Sequence, residues 1–372
     1  DGYAPELPDL GDTWLADGRI RDEDYEWVSF RLSRMHQAGV SCLDCHDPHS
    51  SRTKLPGNQL CMSCHVEQQG EIPPLEVSAH SNHPQASTGA QCINCHMPGT
   101  MYMQRDLRHD HSFSVPDPLL SKELGIPNAC NECHGDKNIE WAISKVDEWY
   151  GDKMDRPRRH RARLLHRARM VANGSSTDPD GWQDLISWLE EEVNPMWEAI
   201  LTGALAAWPE AEKVLPYLLE ALGHEEELVR LQAVRALGPD LAWIFSTTGQ
   251  GVDFFDPARA IRVEAGLALG PLLRAESTLV SEVVEFLEHN HDQPPGAASY
   301  STWLIDRGQY QPAVDELARA LSWDDSQPVL HEAYAAALDA AGHSEQATKR
   351  ADYITRRWPE YANGWFMLAL AH

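Results

Sequence analysis

Every cysteine in the chain belongs to one short pattern. Cys42, Cys45 and His46 in "CLDCH" are followed by Cys61, Cys64 and His65 in "CMSCH", by Cys92, Cys95 and His96 in "CINCH", and by Cys130, Cys133 and His134 in "CNECH". These copies of C-x-x-C-H consume all 8 cysteines. Three chemistries use paired thiols at this spacing: a zinc knuckle, a disulfide, and covalent attachment of haem. Zinc sites take four ligands from two knuckles and do not demand a His after every second Cys. Haem attachment does demand that order, because two sulfurs one helical turn apart add to the two vinyl groups and the adjacent imidazole lies under the iron. The pattern therefore predicts four covalently bound haem c groups, with His46, His65, His96 and His134 as proximal ligands.

Such a cofactor load accounts for a segment that is otherwise poor in core. From Trp27 to about Trp141 the sequence is rich in His, Pro, Gly and Asn and has no long periodic apolar runs. Porphyrins supply the missing apolar area, so residues 27–150 are expected to form a tetrahaem cytochrome c domain of low regularity that does not fold without haem. The length of 372 residues suggests two or three domains. With 31 basic against 57 acidic residues and a net charge of -26, nucleic acid is excluded as a partner. No apolar run approaches the ~18 residues of a transmembrane span. The chain begins at Asp1 with no initiator Met and no signal peptide, and reads as a processed or trimmed mature chain. Haem attachment of this type takes place outside the cytoplasm, which implies a periplasmic or extracellular, cell-surface location.

After "CNECHGDKN" the pattern changes to long helical periodicity. "LVRLQAVRALG" at 228–238 and "AIRVEAGLALG" at 260–270 match at an offset of 32, and "MWEAILTGAL" at 196–205 is a weaker copy. Tyr300 and Tyr334, Leu304 and Leu338, Gly308 and Gly342, Ala313 and Ala347 pair at an offset of 34. The first spacing resembles HEAT repeats and the second the tetratricopeptide repeat. The expected fold is mostly α: an N-terminal arm at 1–26, the low-regularity tetrahaem module at 27–150, HEAT-like helical repeats at 151–290 and tetratricopeptide-like repeats at 291–372, the last two forming an α-helical solenoid. Trp188, Trp197, Trp208, Trp303 and Trp365 are expected to fill interhelical gaps. The apolar end "WFMLAL" predicts either that the chain continues past His372 or that this end packs on another subunit.

The sixth iron ligand decides what such haems do, since an open axial site binds substrate and a second imidazole leaves mainly electron transfer. Outside the motifs, the first 170 residues hold His36, His49, His80, His83, His109, His111, His160 and His166. The expected distal set is His36, His49, His83 and His111, with His80 and His109 as alternatives to their neighbours. Met35, Met97, Met101 and Met103 are sulfur alternatives that raise the potential. His49, three residues past His46, cannot reach the far face of its own haem and is expected to cap a neighbouring one. Arg156, Arg158, Arg159, Arg161, Arg163, Arg167 and Arg169 follow the module directly, as counter-charges for haem propionates or as a solvated helix face.

"CLDCHDPHS...LCMSCH" resembles the paired-motif multihaem cytochromes, and "CINCHMP...RHDHSF" resembles a segment shared by pentahaem nitrite reductases, hydroxylamine oxidoreductases and tetrahaem cytochrome c-554. The order of haem module and repeats is similar to that of multihaem cytochromes carrying tetratricopeptide or HEAT repeats. The resemblance is firm over about residues 27–150 and loose beyond them. It implies closely stacked bis-His haems, redox protein partners and electron transfer rather than catalysis. The nitrite reductases bind substrate on a haem whose motif ends in Lys, and all four motifs here end in His. Two other functions stay open at this point: a reductase of a small nitrogen or sulfur oxyanion at one open haem, and a subunit of a homo-oligomeric haem filament assembled through the repeats.

Overall fold

The computed structural model describes residues 7–11, 13–21, 25–66, 75–102, 105–209, 212–246 and 254–370. It is mostly α-helical, with a single two-stranded antiparallel sheet, Gly99–Tyr102 against Asp106–His109, among the described residues. The chain divides into two compact units, one over Ala4–Ala236 and one over Leu237–His372.

In the first unit each motif sits on its own short helix: Cys42–Cys45, Asn58–His65, Cys92–His96 and Ala129–Cys133. Helices of four to eight residues do not stand alone in water, so local hydrogen bonds fix them. The Ser41 N–H donates to Asp44 Oδ2 at 2.7 Å at the start of the first. Asn58 ties the second to the third, donating from Nδ2 to the Ala90 carbonyl at 2.7 Å and accepting the Cys92 N–H at 2.9 Å. Asn128 caps the fourth by accepting the Asn131 N–H.

Longer helices follow at Ile139–Tyr150, Pro157–Ala172, Gly181–Leu189, Pro195–Ala204, Val214–Ala221 and Glu227–Leu237. Leu165, Leu185, Ile200, Leu201 and Leu205 are fully buried among them. Helices expected to open the repeat array thus belong to the same compact unit as the motifs. The arginines of Pro157–Ala172 show why. Arg158 pairs with Asp17, Arg159 with Asp117, Arg161 with Glu192, Arg163 with Glu123 and Arg167 with Asp178. Arg169 donates to the carbonyls of Asp9 and Trp14. Carboxylates from the elements around the helix thus hold five of these arginines, and backbone carbonyls hold Arg156 and Arg169.

The stretch read as an N-terminal arm is, over its described residues, folded into this unit. Trp14 is 1% exposed, and Ala16 shares a buried cluster with Leu120, Ile126 and Ala162. It lacks periodicity because it contributes isolated anchors from a loop rather than one face of a helix.

In the second unit, Pro294–Asp306, Tyr310–Trp323, Pro328–Ala340 and Ser344–Arg357 each pack on the helix that follows, the last of them on Ala362–Leu370. Leu304, Leu338, Ala313 and Ala347 lie in one buried cluster, with Tyr300 and Tyr334 against it. Gly308 and Gly342 take the left-handed conformation, φ 72° and 81°, where the chain leaves a helix. At both, the next residue's N–H closes the end by donating at 2.8 Å, Gln309 to Leu304 O and His343 to Leu338 O.

The matching pair at an offset of 32 is equally regular. Arg230 Nη1 donates to the His224 and Glu225 carbonyls, and Arg262 Nη1 to the equivalent Asp256 and Pro257 carbonyls. Trp197, Trp208 and Trp303 are buried as expected of gap-fillers, but Trp365 is 52% exposed, beside an exposed Phe366 and Leu370.

Candidate functional site: paired imidazoles around the motifs

The C-x-x-C spacing on a helical turn puts both thiols of a motif on one side, with the His at the end of the turn. No disulfide joins any of the eight cysteines. The motifs are neighbours in chain order. Burial pushes the Cys45 thiol up, and the nearby Cys61, Asp44 and Cys64 add to it. Cys61 and Cys92 share a hydrogen bond, which pushes Cys61 up and pulls Cys92 down to about 7. Burial pushes Cys130 up to about 11, with Cys95 next to it as the second cause. The helix of the second motif packs on that of the third, and the third on that of the fourth.

Three of the motif histidines face a second imidazole. The ring centroids of His46 and His111 are 6.3 Å apart, those of His96 and His80 5.9 Å, and those of His134 and His83 6.2 Å. Two imidazoles bonded through Nε2 to one metal at roughly 2 Å each have centroids roughly 6 Å apart, so this spacing fits an iron between the rings. Among the described residues, no three His, Cys, Asp or Glu converge on a metal position. The imidazole donors come in pairs.

Carbonyl oxygens set which ring nitrogen is available. Nδ1 of His46 lies 2.9 Å from Ser51 O, that of His96 2.8 Å from Ser114 O, that of His83 2.6 Å from Ser81 O and that of His111 2.8 Å from His109 O. A carbonyl only accepts, so Nδ1 carries the proton and Nε2 keeps its lone pair for a metal. Burial holds His96 and His111 below the usual imidazole range, against the carbonyl bonds that raise them, which favours the neutral, ligating form.

His80 and His83, rivals for one role in the sequence, face two different motif histidines. Asn82 between them explains the divergence: at φ 56° it ends the helix Val77–Ser81 in the left-handed conformation that Asn tolerates, and the chain turns away before His83. His109 stands outside the pairs, with Nδ1 2.7 Å from Met97 O at the end of its strand. His36 packs against Phe30, centroids 5.4 Å apart, and His49 is exposed in the loop after the first motif. Among the described residues no imidazole faces His65 at the pair distance.

Sequence reading misses the aromatic residues that hold these rings. One helix, Ile139–Tyr150, supplies Trp141 against His134 at 4.8 Å, Trp149 edge-on to His83 at 6.1 Å and Tyr150 beside His80 at 6.2 Å. The Tyr150 hydroxyl also donates to the His80 carbonyl. Its signal is three aromatic residues in an amphipathic helix directly after the last motif. Phe113 is edge-on to both His111 and Phe30 and holds a φ of 48°, a strained backbone for a bulky residue.

Comparison with known proteins agrees with this chemistry. Residues 36–70, which carry the first two motifs, match the family described as the doubled CXXCH motif. The multiheme cytochrome MtrA of Shewanella baltica (strain OS185) is 32% identical over 119 residues, 31% of this chain and 30% of that protein. The similarities support a multihaem c-type cytochrome with covalently bound haem c. The match thus spans less than a third of the relative's length. No solved structure matches the chain.

Proposed function

We propose that the chain is an extracytoplasmic electron-transfer protein, periplasmic or at the cell surface, that carries four haem c groups and exchanges electrons with redox protein partners. The pairing of motif histidines with second imidazoles carries the reading, because two strong axial donors leave an iron no site for substrate. When bound, each haem supplies a one-electron ferric/ferrous couple. Cys42 and Cys45, Cys61 and Cys64, Cys92 and Cys95, Cys130 and Cys133 would hold the groups as thioethers. His46 with His111, His96 with His80, and His134 with His83 would hold three irons.

For His65 we assign His49. It lies too close to His46 to serve that haem, and the second motif is the one that adjoins the first. His36 and His109 stand in reserve. Packing of the second motif helix on the third, and of the third on the fourth, supports a relay rather than a set of isolated centres. The helices from Pro294 to Leu370 fit tetratricopeptide-like repeats and those around Glu227–Leu237 and Arg259–Leu269 fit HEAT-like ones. Such arrays present extended surfaces for docking a partner or a second copy. Among the described residues no helix is long and apolar enough to cross a membrane.

One observation favours a second reading. With no described imidazole facing His65, an open iron for a small nitrogen or sulfur oxyanion would sit on Cys61 and Cys64. Protein-film voltammetry separates the two. The relay predicts reversible waves that nitrite, hydroxylamine and sulfite leave unchanged, and electron exchange with a soluble c-type cytochrome; a catalytic current with any of these substrates contradicts it.

A further inference from the structure

We propose that Gly89 is a positioning residue for the haem on Cys130 and Cys133, required because its missing side chain is the space that His83 occupies. This rests on the reading of His83 and His134 as the two ligands of one iron. A Cβ at Gly89 would stand 2.1 Å from Cδ2, 2.5 Å from Cγ and 2.8 Å from Nε2 of His83. No carbon approaches a ring that closely, so Ala and His83 in this position exclude each other. The requirement is steric: Gly89 lies in the 3-10 turn Thr88–Ala90, and its φ is one that L-residues adopt.

Two contacts hold the ring in place. On one flank is the edge of Trp149, and the Nδ1 bond to Ser81 O pins its rotation. The turn is itself held, since Ala90 is 1% exposed and its carbonyl accepts from Asn58 Nδ2. Gly89 thus closes the third side of a slot that fits one imidazole. By contrast, a Cβ at Gly135, next to His134, would meet only Asn131 O at 3.8 Å, and Ala fits there.

The test uses the full chain matured with haem, in Gly89→Ala, His83→Ala, Gly135→Ala and the double variant Gly89→Ala/His83→Ala. Haem content is read from the pyridine haemochrome and spin state by low-temperature EPR. Gly89→Ala is expected to keep its haem but to lose about a quarter of the low-spin signal, as His83→Ala does; added imidazole is expected to restore the signal in His83→Ala, where the slot is empty, and not in Gly89→Ala, where the Cβ fills it. Gly135→Ala is expected to match the parent. Should Gly89→Ala not accumulate, the double variant decides: recovery to the His83→Ala level locates the clash at that ring, and failure to recover overturns the proposal. An unchanged low-spin signal in Gly89→Ala, while His83→Ala opens one haem, also overturns it. Should His83→Ala leave every haem low-spin, the ligand assignment itself falls, a different failure from that of the slot.

Discussion

Produced without haem attachment, the chain is expected to keep its helices from Gly181 onward and to lose tertiary structure across residues 26–134. The contrast lies in what each part buries from its own sequence. Between Glu26 and Cys133 the buried apolar residues are few, among them Val28, Phe30, Leu32, Ala90, Leu120, Ile126 and Ala129. The helices that carry the motifs run four to eight residues, below what water tolerates in isolation. From Gly181 the helices are mostly longer and bury Leu185, Ile200, Leu201, Leu205, Leu231, Ile261, Leu269 and Leu287, each contributing about 1.5–3 kcal/mol. Hydrogen exchange with mass-spectrometric readout checks this directly. Slow exchange in Ser344–Arg357 and Pro195–Ala204 with unprotected amides over 26–134 is the expected pattern, and equal protection in both would refute the argument from missing core.

The second large effect sits at Asp17. Its side chain is fully buried between two arginines: Arg19 Nε donates to Oδ2 at 3.0 Å and Arg158 Nη2 donates to the same oxygen. Arg158 and Arg19 also donate to the Val115 and Pro127 carbonyls, so the cluster ties the N-terminal loop to the segment between the third and fourth motifs. Asp17→Ala leaves two cations facing each other without their carboxylate, Arg19 almost buried and Arg158 22% exposed, and is expected to cost about 3 kcal/mol in the unfolding of the haem-loaded protein.

The pH dependence has a definite sign. Burial alone would raise the Asp17 pKa, but Arg158 and Arg19 outweigh it and hold the carboxyl below its ordinary value. A depressed folded value contributes stability in full above the unfolded pKa of about 3.9, and that contribution is lost as pH falls through the folded value. Acid unfolding of the parent should therefore steepen below about pH 4, and Asp17→Asn, already weaker at neutral pH, should lack that component. A parental profile in the variant would contradict the assignment.

The chemistry of the site is legible in the sequence because each motif is local: two thiols and an imidazole within five residues need no tertiary information. The second imidazoles are not local. His111 faces His46 across 65 positions because loops bring it there. That His80 and His83 diverge turns on the single left-handed Asn82, which no periodicity announces. The 34-residue spacing is readable because Leu304, Leu338, Ala313 and Ala347 repeat one packing environment, and a repeated environment leaves a repeated residue. Trp14 and Asp17 leave no such trace, since each is a lone anchor in irregular chain. The basic run of 156–169 is visible in sequence, but its partners are set by which acidic elements pack on that helix.

On the proposed reading, paired imidazoles close the irons and make the chain a carrier. Low-temperature EPR of the oxidised, haem-loaded protein measures this most directly, since two imidazoles give low-spin ferric iron and one open axial position gives high-spin. A purely low-spin spectrum, unmoved by nitrite or cyanide, is expected. A high-spin signal stoichiometric with the protein, shifting when either is added, would contradict it.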